Sequence, residues 1–387
     1  MFRHTPRPNR PNPQVQDLLT LGSDLPGPAA QRLQARGQSV LQTAALDEAL
    51  SPFTPRSLGR SFSAQDPLGI VPPPAIAVSD PVHLLHTRLA RLLQLPIALT
   101  FPAPDQAMRA ALGTVLQPGD TVILDAACDS AMFETVWALQ ARPLRSPAAS
   151  LAGVERRLRR LSASRGAGRI WVVVPAISPF ASAMAEVADL ADLCHEFGAG
   201  LIVDVTQGLG SIGQFGGGVM EVQGCLGRAD VVLGSFARSF CAPGGFVGLR
   251  NPDLAHLLRR AQSRPIAPSH AATILAMLDL VESAEGQRRR RRLHAISLRL
   301  RNHLLADGVP VLGQPSPIVP VRLSRQTAPG CTTLMHSAGI GVSLVQRPSV
   351  ASHAPRWCLN LSADHSPADI DSLADLIRDV IRSQTRR

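Results

Sequence analysis

Apolar positions along this chain fall into two rhythms. Over residues 82–95 they recur every three or four residues, with Leu85, Leu89, Leu92 and Leu93 on one side, which predicts an amphipathic helix. Residues 105–116 and 131–140 read the same way, and 185–197 predicts a further helix closed by Gly198 at the position just past its end. Between them lie short runs that are apolar throughout, at 121–124, 169–175, 201–205, 231–235 and 245–249. Strands apolar on both faces and separated by helices predict an α/β fold with a mostly parallel central sheet covered by helices. Such sheets receive ligands beyond the carboxyl ends of their strands.

Downstream of residue 280 the pattern changes. Residues 318–323 and 357–361 predict strands of a smaller α+β unit. Ser366-Pro367-Ala368-Asp369 opens a last helix, with Ser as N-cap, Pro in the first turn and an acid at the third position. The expected organisation is a disordered Pro/Arg-rich tail over 1–30, an N-terminal segment over 31–79, a large domain over 80–280 and a small C-terminal α+β domain over 281–387.

Composition sharpens this picture at a few points. All 39 Lys+Arg residues are Arg, and Tyr is absent as well, a combination that points to nucleotide bias in the gene. Such bias accounts for arginine on a surface; it does not supply an amine where chemistry needs one. The formal net charge of +10 favours affinity for polyanions and says nothing of fold. Its densest cluster, Arg288 to Arg292, falls within a predicted helix over 282–305. It reads either as a solvated helix face or as a patch for acidic lipid, CoA phosphates or nucleic acid. No aromatic side chains interleave with it, so nucleic acid is not an expected partner.

Six cysteines, at 128, 194, 225, 241, 331 and 358, form neither a CxxC pair nor a disulfide framework, which implies a reducing, cytoplasmic compartment. Residues 1–16 lack the apolar stretch of a secretory leader, and no run approaches the about 18 apolar residues of a membrane span. His83 and His86 share a helix side, but no further ligand joins them, so no metal site is expected, and His86 reads as a helix-surface histidine.

The most informative constellation sits at two strand ends. Asp204 closes the strand over 201–205; Ser235 closes the one over 231–235 and leads into Phe236-Ala237-Arg238. Glycine-rich text follows each, Gly208-Leu209-Gly210 with Gly216-Gly217-Gly218 after the first, and Gly244-Gly245 after the second. In a parallel sheet these ends open on one face, bringing an acid, a hydroxyl and a cation together with mobile backbone, either as an anion or cofactor pocket or as ordinary turns.

These runs resemble the motifs of the α-oxoamine synthases, the family of amino-oxononanoate synthase, aminolevulinate synthase and serine palmitoyltransferase. Val203-Asp204-Val205-Thr206-Gln207-Gly208-Leu209-Gly210 is similar to V-D-D/E-A-H-G-x-G. Gly234-Ser235-Phe236-Ala237-Arg238-Ser239-Phe240 is similar to G-T/S-F/L-S/G-K-A/G-F/L. Ser316-Pro317-Ile318-Val319-Pro320-Val321 resembles S-P-I-x-P-V, and Leu361-Ser362-Ala363-Asp364-His365 resembles L-S-A-x-H. The resemblance covers residues 82–376 and implies the fold-type-I pyridoxal-phosphate (PLP) transferase architecture. Those enzymes are dimers that condense an acyl-CoA with an amino acid.

Several positions depart from the pattern. Arg238 stands where the family carries its Schiff-base lysine. Asp129 falls near the histidine that stacks on the cofactor ring, and Gln207 replaces the histidine beside the cofactor's phenolic oxygen. The run from Pro175 to Ser182 has lost the family's acids. The carboxylate-clamping arginine falls on Cys358, with Arg356 two residues earlier read as facing the alternate side of its strand. The glycine-rich segment ahead of the first helix is replaced by Pro72 to Ser79.

Asp204 survives, either as the partner of a pyridine nitrogen or by fold inheritance as a loop cap. Ser235 is either a phosphate-loop hydroxyl or a turn residue. Arg238 either fills the vacated pocket by pairing with Asp204 or holds an anion.

The expected site is therefore a vestigial cofactor pocket of Asp129, Asp204, Gln207, Ser235 and Arg238, with no covalently held cofactor and PLP expected only non-covalently. The expected function is that of a catalytically degenerate homologue, a pseudoenzyme or non-catalytic subunit. It would form a homodimer, or a heterodimer with a lysine-bearing homologue, and take acyl-CoA or another anionic ligand. The alternative is an enzyme with altered chemistry, using non-covalent pyridoxal or pyridoxamine phosphate, or transferring an acyl group without cofactor.

Overall fold

A computed structural model describes residues 80–385 except 164–167, 263, 348 and 352. The expected tail over 1–30 and the segment over 31–79 lie outside the described residues. The chain runs α1 (Pro81–Leu93), β1 (Ile97–Phe101), α2 (Pro104–Val115), β2 (Thr121–Asp125), α3 (Ser130–Ala138), β3 (Arg142–Ser146), α4 (Leu151–Ala163), β4 (Ile170–Pro175), α5 (Val187–Glu196), β5 (Gly200–Asp204), α6 (Gly218–Val222), β6 (Val231–Ser235) and β7 (Gly245–Leu249). It continues through α7 (Ala255–Ala261), α8 (Pro268–Glu282), α9 (Ala284–Ala306), β8 (Ile318–Arg322), α10 (Ala328–Ser337), β9 (Ser343–Val345), β10 (Arg356–Asn360) and α11 (Pro367–Thr385).

Seven strands form one sheet in the order β1-β7-β6-β5-β4-β2-β3. From β6 to β3 every pair is parallel. β7 runs antiparallel to both β6 and β1, so the mostly parallel sheet carries an antiparallel edge. Register aligns Pro175 with Asp204 and Asp204 with Leu233, which brings the carboxyl ends of β4, β5 and β6 to a common rim. Helices cover both faces. Leu85 and Leu89 of α1 join one core beneath the sheet, and Ala111 and Leu112 of α2 join another above it.

α1 is fixed twice. Arg88 reaches across to Asp279 (2.6 Å) and Glu282 (2.7 Å) of α8. His86, expected on the helix surface, is half-buried instead, its Nε2 3.0 Å from Thr100 Oγ1 and accepting the Thr100 N–H at 3.2 Å. The helix packs on β1, so this side turns inward.

β8, β10 and β9 form a second, antiparallel sheet, with its own core of Leu293, Ile296, Val319, Trp357, Leu359, Ile370 and Leu373 among others. The run Arg288 to Arg292 lies in α9 and is not one solvated face. Arg288 and Arg289 pair with Glu285, and Arg289 also reaches Asp364 at 2.9 Å, while Arg290 is buried, 5% exposed.

A second buried arginine of α9, Arg301, holds the two parts together. Its Nη1 donates to Leu312 O and its Nη2 to Ile318 O, both at 2.9 Å, and Nη2 lies 3.2 Å from Ser182 Oγ. Ser182 in turn meets Ser316 Oγ at 2.7 Å. Burial lowers the Arg301 guanidinium to about 10, since it is buried against carbonyls and hydroxyls. Among the described residues no helix is long and apolar enough to cross a membrane.

Candidate functional site

The rim where β2, β4, β5 and β6 end carries the candidate site residues. Asp204, half-buried, accepts the Thr206 N–H at 2.8 Å. Burial raises its carboxyl above the ordinary range, Thr206 opposes that through its hydroxyl and its N–H, and the Asp129 carboxylate adds to the rise. Thr206 links the two strand ends, because its Oγ1 accepts the Ser235 N–H at 3.1 Å. Ser235 Oγ accepts the Ala237 N–H at 3.1 Å and so shapes the turn leading to Arg238. Gln207, half-buried beside Thr206, has no side-chain hydrogen bond among the described residues.

Asp129 has a structural duty. It is the N-cap of α3, exposed, with its carboxylate accepting the Ala131 N–H at 2.9 Å. Asp125, 2% exposed, accepts the N–H groups of Ala127 (2.7 Å) and Ala149 (2.6 Å) and ties the loop after β2. Cys128 lies against the same acids and donates to Val173 O at 3.5 Å. Burial, then Asp125, Asp204 and Asp129, push its thiol well above the ordinary value, so it stays neutral.

The opposite side of the rim is cationic. Arg356 and Cys358 of β10 both reach the Phe180 carbonyl, Nη1 at 3.3 Å and Sγ at 3.7 Å. The two side chains therefore share a face of β10 rather than lying on alternate ones. Side chains in a strand alternate with a period of two, so positions two apart point the same way. Arg238, half-buried, is felt at this thiol, while the groups acting on Asp204 are Thr206 and Asp129.

The loop after β5 is built for tight turns. Gly210, Gly213, Gly216 and Gly218 all have positive φ, which only glycine adopts freely. Arg290 donates to the carbonyls of Gly213 (2.9 Å) and Gln214 (2.5 Å), and Glu221 accepts the N–H groups of Phe215 (2.9 Å) and Gly217 (2.6 Å).

The family profile described as aminotransferase class I and II matches residues 80–377. The chain belongs to the aminotransferase class I and II family. Within that family its curated relatives include the 8-amino-7-oxononanoate synthase of Stutzerimonas stutzeri, 30% identical over 316 residues, covering 78% of this chain and 77% of that protein. The same enzyme of Bordetella petrii is 29% identical over 298 residues, covering 76% and 74%.

Among solved structures, Sphingomonas wittichii serine palmitoyltransferase superposes with a TM-score of 0.73 at 21% identity, over 89% of this chain and 85% of that one. Francisella tularensis 8-amino-7-oxononanoate synthase does so with a TM-score of 0.70 at 16% identity, over 84% and 98%. This aminotransferase-family chain thus has the fold-type-I PLP transferase fold and is α-oxoamine-synthase-like.

Within this aminotransferase fold the rim brings Asp129, Asp204, Gln207, Ser235 and Arg238 to adjoining strand ends. Thr206 and Asp125 were not anticipated as the groups that fix the site. A short polar residue two positions after a strand-end aspartate is the available signal, since its N–H is placed to bond that carboxylate. Arg290 sits within a charge run, yet it lies on the buried side of its helix with Leu293, Ser297 and Leu300.

Proposed function

We propose that this chain is a catalytically degenerate α-oxoamine synthase homologue, a non-catalytic or ligand-binding subunit working beside a lysine-bearing homologue. One observation carries the reading. In the motif match Arg238 stands where the resembled family has its lysine, on the turn after β6 that Ser235 and Ala237 shape, and the sequence holds no lysine anywhere. A guanidinium stays protonated at all physiological pH and is no carbonyl-condensing nucleophile.

The neighbouring residues fit a covalently held pyridoxal group no better. Asp204 remains suited to a protonated ring nitrogen. Asp129, however, is committed to capping α3 and offers no aromatic surface, and the amine is missing. A covalently bound PLP therefore does not fit this site, and no catalytic step is assigned to it.

The test is direct. Purified protein mixed with PLP should develop no protein-bound visible absorption band, and borohydride should trap no stoichiometric adduct on the polypeptide. A stoichiometric trapped adduct would sink the reading. Co-expression with a lysine-bearing homologue should yield both chains in equal amounts after affinity capture of either one. Recovery of this chain alone counts against the subunit role.

A further inference from the structure

The large sheet has a second end, where β2, β3 and β4 begin, roughly 15 Å along the strands from the rim that holds Asp204. A cavity of about 480 Å³ opens there, lined by Gly119, Trp137, Ala138, Gln140, Ala141 and Arg142. That volume lies in the range of small-molecule sites. Trp137, in the last turn of α3, is 76% exposed. One exposed aromatic residue is ordinary on a protein surface; its setting and its neighbours set this one apart. Its carbonyl accepts the Gln140 N–H at 3.0 Å, Gln140 takes a φ of 57°, and the Gln140 carbonyl accepts the Gly119 N–H at 3.0 Å. The indole is thus carried on a closed turn.

Charge at this end is one-sided. Thr121, the first residue of β2, aligns with Arg142 of β3 on one side and with Ile170 of β4 on the other, next to Arg169. The two arginines flank β2 with their backbones about 10 Å apart. Gly168, beside Arg169, packs on the cavity wall, since a Cβ there would strike the Gly119 carbonyl. Both arginines are exposed, and among the described residues neither forms an ion pair. Asp120 is buried and spends its carboxylate on the N–H groups of Gln117 (2.9 Å) and Arg169 (2.8 Å). Strand addition by a peptide is disfavoured here. Arg142 and Ser146 bond towards β2, so the backbone of Pro143 faces outwards, and proline has no N–H to give.

We propose that this cavity binds a nucleoside phosphate, its base stacked on Trp137 and its phosphates met by Arg142 and Arg169. An indole offers a face to any base, and guanidinium groups match phosphate oxygens. No acid lines the cavity to repel the ligand. The proposal is independent of the reading of the rim, which lies at the other end of the strands.

The site carries its own reporter. Of the three tryptophans, Trp171 is 7% exposed and Trp357 0%, so Trp137 alone faces solvent. Titrating the full-length chain with ADP should change its tryptophan emission saturably, at one ADP per chain, and shield the indole from acrylamide. Adenosine, which lacks the phosphates, and inorganic pyrophosphate, which lacks the base, should each bind at least about tenfold more weakly. By calorimetry Trp137→Ala should weaken ADP about tenfold or more, and Arg142→Gln and Arg169→Gln about fivefold each. Arg382→Gln, which removes an exposed charge from α11, should change affinity less than about threefold.

Absence of saturation by ADP overturns the proposal. So does pyrophosphate or adenosine binding as tightly as ADP, because one of the two contacts would then be idle. These comparisons use the wild-type chain, so they decide the matter even where a variant fails to fold. A Trp137→Ala protein with wild-type circular dichroism and unchanged ADP affinity overturns it as well.

Discussion

Arg290 and Glu221 grip one loop by opposite polarities. The guanidinium takes the carbonyls of Gly213 and Gln214 while the carboxylate takes the N–H groups of Phe215 and Gly217. Glu221 also acts on Arg290 directly, raising its guanidinium against the lowering by burial. A glycine-rich loop has a large conformational entropy to lose, and this clamp supplies the fixed geometry that its own residues lack.

Replacing Arg290 with Met should destabilise the protein by about 2–4 kcal/mol, because buried carbonyls lose their donors. Glu221→Gln should cost less, about 1–2 kcal/mol, since an amide oxygen still accepts. In urea titrations the double variant should lose less than the sum, because both changes release the same loop. Simple additivity would show that the two grips are independent.

The protein should weaken on mild acidification through His86. Its Nε2 accepts from Thr100, and burial first, then His83 and Arg259, lower the ring to about 4 from 6.5, with Asp80 opposing. Between these values the unfolded chain binds the extra proton, so the contribution is complete above pH 6.5 and falls away as pH drops towards about 4. Discounted for partial solvent exposure, it amounts to about 1–2 kcal/mol. Comparing His86→Gln with the wild type should show a flatter stability profile in that window; parallel profiles would refute the assignment.

Arg238→Lys alone should not restore covalent PLP capture. The amine returns, but Asp129, near where the resemblance expects a ring-stacking histidine, still caps α3 and offers no aromatic surface. Absorption and borohydride trapping decide the matter. A stoichiometric adduct in this single variant would mean that the pocket is otherwise ready.

Asp129→Ala should cost about 1 kcal/mol through the lost N-cap. Asp129→Asn should restore most of that, as asparagine caps about as well. Because the Asp129 carboxylate also raises Asp204, both variants should lower the pH at which Asp204 protonates, readable by carboxyl NMR. An unmoved titration would place Asp129 out of electrical reach.

The fold was legible where burial is two-sided. β4, β5 and β6 announce themselves as continuous apolar runs because helices cover both faces. The same uniformity hid the direction of β7: its five residues are all buried, and nothing in such a run tells antiparallel from parallel. β3 escaped notice because an edge strand with Arg142 and Arg145 exposed has no apolar signature.

In the site, strand-end residues could be placed by motif, but their duties could not. Asp129 caps a helix, a local role that spacing alone does not separate from a ligand contact. Arg356 shares the Cys358 side of β10, not the alternate side expected from sequence, because positions two apart in a strand point the same way and both side chains meet the Phe180 carbonyl.

α9 serves two cores at once. Arg290 near its start is buried against the large sheet's loop, and Leu293, Ile296, Leu300 and Leu304 further along fill the small one. Neither core can melt alone without stripping this helix of half its support. The cooperative unit is therefore the assembly of both sheets. Excising the C-terminal part at the α8–α9 joint should leave two fragments that each unfold, not two independent modules.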